Sequence, residues 1–258
     1  MTTGQATVPL AAHGRGQDFP PVHPADRFYF PLLLAWIWAG LLFGFIPPIT
    51  KHFADAKPPY LLIVDLHSMI FVGWMVLLTV QVSLVRGRKL ALHRSLGRIG
   101  FYLAPTLVLV GLVTSVMVNR SHFGTPRWDP QFLSVQLADL INFALMVTFA
   151  LRMRTDGASH KRLMLLAATA LSNAGFGRWW GPALGQWLGE GYLAELAGDY
   201  AGDFVILAIM VIYDLATRGR LNGAFVRGAG VLIGIELLAP FLYLNAGWIA
   251  FSDALQRP

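Results

Sequence analysis

The chain has 258 residues, of which 55% are hydrophobic and only 13% charged. A soluble globular domain carries roughly 25% charged residues, so this composition is that of a membrane protein. There is no cysteine, which excludes disulfides, thiolate metal sites, iron–sulfur clusters and cysteine nucleophiles together. The net charge of +6 fits basic loops at a membrane surface, and no basic stretch has the folded context of a nucleic-acid module.

In chain order, residues 1–26 are polar and rich in Gly and Pro and read as a disordered cytoplasmic tail. Val8–Ala12 is too short for the core of a signal peptide. Residues 27–258 read as an all-α, polytopic transmembrane bundle of about seven spans, each needing about 20 apolar residues. The expected spans are Phe28–Ile46, Tyr60–Val85, Gly97–Val118, Gln131–Leu151, Lys161–Trp179, Tyr200–Thr217 and Phe225–Phe251. Pro47-Pro48 is expected to stop the first and Gly181-Pro182 to follow the fifth. The second and seventh are long enough to require tilt or an interfacial extension.

Basic residues set the expected orientation. Arg15, Arg27, Arg86, Arg88, Lys89, Arg94, Arg98, Arg152, Arg154, Lys161, Arg162, Arg218, Arg220 and Arg227 fall on one side. Only Lys51, Lys57, Arg120, Arg127, Arg178 and Arg257 fall on the other. The positive-inside rule then predicts a bacterial inner-membrane protein with its N-terminus in the cytoplasm and its C-terminus outside.

Ionisable groups within spans are candidate functional residues because they are costly there. Asp65, His67, Asp139, Arg178 and Asp203 fall in the predicted outer half, with Glu236 nearer the middle. Gln136, Asp139 and Asn142 recur every three residues, and Asp199 and Asp203 lie one turn apart. His67, Asp139, Arg178 and Asp203 are the candidate substrate or proton site; the alternative is that Arg178 neutralises Asp139 or Asp203 and ties helices together. His67, Trp74 and Gln81 share one face at seven-residue spacing, and that face should meet other helices, with His67 either a packing residue or a ligand.

Two basic histidine segments lie at the predicted cytoplasmic side. They are Leu92-His93-Arg94-Ser95-Leu96-Gly97-Arg98 and His160-Lys161-Arg162-Leu163-Met164. Each alone reads as a headgroup anchor; together they place two imidazoles at one depth. His160 and Arg178 are five turns apart on one face, about 27 Å along the axis. Between them Ala167, Ala168, Ala170, Ala174 and Gly175 suit either close helix contact or a flat cofactor. Zinc-protease, nucleophile-elbow, P-loop and dinucleotide motifs are absent.

With His67, Gln81, Leu-His-Arg-x-x-Gly-Arg (92–98), His-x-Arg-x-Met (160–164) and Arg178, the stretch 60–180 resembles a bacterial predicted integral-membrane family of unknown function. It also bears a looser likeness to the ascorbate-dependent transmembrane b-type cytochromes, where histidine pairs on alternate helices hold haem. That likeness implies one haem b with His93 and His160 as iron ligands and Arg94, Arg98 and Arg162 beside its propionates. It further implies electron transfer with a quinone or small reductant. A second haem is not implied, because the fourth span has no histidine. Proton- or cation-coupled transport and a structural or signalling role are the other expectations.

Overall fold

The computed structural model describes residues 19–258. Arg15 and most of the predicted tail lie outside them. Seven long helices follow one another: α1 Asp26–Ala54, α2 Leu62–Arg86, α3 Leu90–Ser121, α4 Leu133–Arg152, α5 Gly157–Leu188, α6 Tyr192–Arg218 and α7 Gly223–Tyr243. A short α8, Ala246–Gln256, closes the chain. Among the described residues there is no strand. Six of these helices are long and apolar enough to cross a membrane, and the chain is a multi-pass helical membrane protein. Large apolar side chains such as Leu32, Met69 and Leu109 stand outward, where lipid covers them.

The exception in hydropathy is α5, and its position explains why. It packs against α1, α4, α6 and α7 and meets little lipid. Its middle is Ala, Ser, Thr, Asn and Gly, small residues that let helix backbones approach. Ala167, Ala168 and Ala170 are sealed in the core. Of the two expectations for this stretch, the structure realises close contact. The α2–α3 hairpin sits at the periphery and leans on α1 and α4.

Several boundaries differ from the sequence expectation. Helix α1 runs through Pro47 and Pro48 to Ala54. A proline removes one backbone donor but does not force an end once the preceding turns are formed. The Thr50 hydroxyl donates to the carbonyls of Ile46 and Pro47 and reinforces the next turn. Likewise α5 continues through Gly181 and Pro182 to Leu188. It stops at Gly189, whose φ of 78° suits glycine alone. The supposed outer loop is therefore mostly helix. The seventh span breaks at Asn245, which caps α8 by accepting from the Trp248 amide at 3.1 Å. This supplies the extension that its length required.

The helix ends show which residues share a side. Asp26 at the start of α1 accepts from Lys161 of α5 at 2.7 Å and from Arg218 of α6 at 2.8 Å. Asn222 caps α7 and donates to Ser159 of α5 at 3.2 Å. Asp156 caps α5 through the amides of Ala158 and Ser159. Burial raises the Asp156 carboxyl, but the bonds from Ser159 and Ala158 outweigh it and hold the group below its ordinary value. Each such cap is worth about 1 kcal/mol. The starts of α1, α3, α5 and α7 thus lie at one end of the bundle, where the basic residues gather.

Candidate functional site

Two polar sites emerge inside the bundle. The first lies at the basic end. His93 stands in the first turn of α3 and His160 in the first turn of α5. Their rings meet at 6.4 Å between centres, with planes at 88°. A metal ion sits about 2 Å from an imidazole nitrogen, so two imidazoles on opposite sides of one iron have centres a little over 6 Å apart. His160 Nδ1 lies 2.8 Å from the carbonyl oxygen of Ala150 at the end of α4. A carbonyl only accepts, so Nδ1 carries the proton and Nε2 keeps its lone pair for a ligand. His93 Nδ1 is buried and makes no well-aligned hydrogen bond, the Gln81 backbone of α2 lying beside the ring.

Behind His93 runs a seam of unpaired polar groups. The stripe His67, Trp74 and Gln81 of α2 faces α3, as the seven-residue spacing predicted. Gln81 lies beside Gly97, Trp74 beside Gly100 and His67 beside Gly111 of α3. The Trp74 indole meets the Phe143 ring of α4 edge-on at 4.9 Å. His67 Nδ1, Trp74 Nε1 and both amide atoms of Gln81 are buried without a partner. Each such atom costs about 1–3 kcal/mol unless something bonds it. Next to Trp74, whose neighbours Gly100 and Phe143 help line it, a cavity of about 270 Å³ opens between α3 and α4. Gly100, Ala104, Val147 and Leu151 line it, with Leu151 next to the Ala150 that holds His160.

The arginines of the two motifs part company. Arg94 and Arg98 are exposed beside His93, and Arg98 donates to the Ser95 hydroxyl at 3.2 Å. Arg162 turns inward. Its guanidinium clamps Asp214 of α6 with two hydrogen bonds and gives a third to Ala158 O at 2.8 Å. It is 2% exposed and has no reach to spare for another carboxylate. Asp214 drew no attention in the sequence, since nothing there ties its register to that of α5.

The second site lies in the middle of α4, α5, α6 and α7. Asp139 accepts from Asn173 of α5 at 2.8 Å. Asp203 is fully buried and accepts from Ser172 at 3.3 Å. Arg178 pairs with neither acid. It donates to Ala174 O one turn back and lies 4.7 Å from the Phe45 ring centre of α1. Asp203 has Glu236 of α7 beside it instead. His67 is on α2, remote in the packing from α6 and α7. The structure therefore brings Asp139 and Asp203 into one region, with Arg178 of α5 within electrostatic range of Asp139 but packed on Phe45, and leaves His67 in the α2–α3 seam. Among the described residues, no group of three or more His, Asp or Glu side chains is arranged to hold a metal ion.

Compared with protein-family models, with curated proteins and with solved structures, the chain matches none. Its function has to be read from these two sites.

Proposed function

We propose that His93 and His160 would hold the iron of one b-type haem and that the protein passes electrons at the basic end of a bacterial inner-membrane bundle. The observation that carries this reading is the 6.4 Å ring spacing. Two further features fit the group: the free Nε2 of His160 and the buried Nδ1 of His93, which makes no well-aligned hydrogen bond. Haem iron would supply one-electron chemistry, its potential set by the two imidazoles and their surroundings. The chain's own part is to hold and orient. The Ala150 carbonyl fixes the His160 ring, and the Gln81 backbone of α2 lies beside the His93 ring. Arg94 and Arg98 are placed to meet propionates, since a guanidinium matches a carboxylate with paired hydrogen bonds. The α3–α4 cavity is lined mainly by apolar side chains and would suit a quinone or another small lipid-soluble reductant.

The visible absorption spectrum of the purified protein tests this. A sharp α-band on dithionite reduction is expected, lost in both His93→Ala and His160→Ala. A colourless protein from haem-replete cells would sink the reading. It would also bring forward the second one, proton- or cation-coupled transport, which the buried acids Asp139 and Asp203 favour.

The basic end is assigned to the cytoplasm on the positive-inside rule. A reporter fused after Pro258 should then be active only outside the cell. Cytoplasmic activity of that fusion would reverse the assignment.

A further inference from the structure

The mid-bundle acids form a second device that the histidine pair does not use. On α6, Glu195, Asp199 and Asp203 follow at four-residue steps and share one face. Each step advances about 6 Å along the axis. Near the start of the stripe stands Asp129, in the loop before α4, close enough to act electrostatically on Glu195 and Asp199. Burial holds the Asp129 carboxyl above its ordinary range, although Tyr243 donates to it at 3.2 Å. Past Asp203 the helix turns apolar, with Leu207 and Met210 buried in the core. The next acid, Asp214, is locked to Arg162. The stripe therefore enters from one end only and stops at mid-bundle.

At its inner end the polar atoms outnumber their partners. Glu236 is 1% exposed, no donor from another side chain or from the backbone reaches its oxygens, and its carboxyl meets only that of Asp203. Oδ2 of Asp203 is buried beside that carboxyl with no other donor, and the buried hydroxyl of Tyr200 has no partner. Asn142 donates to Leu232 O at 3.2 Å, but its own oxygen has no partner. The titratable groups facing this point are Asp139 from α4, Asp199 and Tyr200 from α6, and Arg178 from α5. Among the described residues, none of the four acids Asp139, Asp199, Asp203 and Glu236 forms an ion pair. Two adjacent ionised carboxylates in a low-dielectric interior repel each other and lose their hydration with nothing in return. Something bound must neutralise them. Two carboxyls that meet with no other donor between them are neutralised most simply by sharing a proton.

We propose that Asp203 and Glu236 together bind an exchangeable proton, loaded along Asp199 and Glu195 from the end of the bundle that carries the α5–α6 turn. This site stands whether or not the histidine pair holds haem. Dicyclohexylcarbodiimide, which modifies protonated carboxyl groups in apolar surroundings, is the probe. The full chain in detergent micelles is treated, digested and mapped by mass spectrometry. The expected result is an adduct on Glu236 or Asp203 that forms more slowly as pH rises and is indifferent to sodium chloride. No adduct on either residue at acidic pH would overturn the proposal, and so would protection by sodium, which marks a metal-cation site. The mapping needs no variant, so a misfolded mutant cannot obscure it. The route is read by infrared spectroscopy of the protonated-carboxyl band on transfer to D2O. Asp199→Asn should slow the shift of that band, and an unchanged rate would refute loading along the stripe.

Discussion

Asp214→Ala is expected to destabilise the bundle by about 3–5 kcal/mol, the usual consequence of stranding one partner of a buried ion pair. Arg162 and Asp214 are each 2% exposed, and the guanidinium grips both carboxylate oxygens. Arg218 adds a weaker contact to the same carboxylate at 3.8 Å. Without Asp214, Arg162 keeps only the Ala158 carbonyl. Arg218 suffers less, because Asp26 still accepts from it through both oxygens. Asp26→Ala should therefore be milder than Asp214→Ala, because Lys161 is 26% exposed and Arg218 keeps the Pro20 carbonyl and Asp214. The double variant Arg162→Met with Asp214→Leu should recover most of the loss, because an apolar pair of similar volume carries no stranded charge. Unfolding titrations in mixed detergent micelles would compare the variants. An Asp214→Ala protein as stable as the wild type, or a double variant no better than the single one, would refute this account.

That ion pair also shows what the sequence could and could not disclose. A membrane sequence states depth well, because apolar length and basic loops tie each residue to a level. His93 and His160 were predicted at one level from their places beside basic loops, and their rings do meet. The stripe His67, Trp74 and Gln81 was legible from spacing alone, since a helix fixes which residues share a face. Depth says nothing about how a helix is turned about its axis relative to its neighbours. Arg162 lies at the level of the histidines yet points to Asp214, and Arg178 lies near the level of Asp139 yet turns to Phe45. Glu236 and Asp203 meet because α6 and α7 present those faces to each other, which no periodicity in either segment encodes. Several helices run past the expected span ends for a related reason, although the seventh span breaks at Asn245. Hydropathy measures the apolar run, whereas backbone hydrogen bonding carries α3 back to Leu90 and α5 on to Leu188.

Gly44→Val is expected to remove most of the folded protein. Gly40-x-x-x-Gly44 of α1 crosses α5 at Gly175, and the two backbones touch there without side chains between them. A Cβ on Gly175 would lie 2.7 Å from the carbonyl oxygen of Gly40 and 2.8 Å from the Cα of Leu41. A Cβ on Gly44 would drive into the carbonyl of Gly175. These obstacles are backbone, so no rotamer change relieves them and the helices must separate. Overpacking a core usually costs about 1–3 kcal/mol, and a rigid obstacle places this case at or above the upper figure. The effect should spread, because α1 is held chiefly by α5 and only lightly by α2. Moving α1 also shifts Asp26 away from Lys161 and Arg218. Gly73→Ala is the matched control, since a Cβ there meets nothing within 4 Å. It should be neutral or slightly stabilising, alanine being the better helix former by about 1 kcal/mol. Size-exclusion profiles of the detergent-extracted proteins read the outcome. A Gly44→Val protein that elutes as a single peak at wild-type yield would show that α1 and α5 do not cross at Gly44 and Gly175.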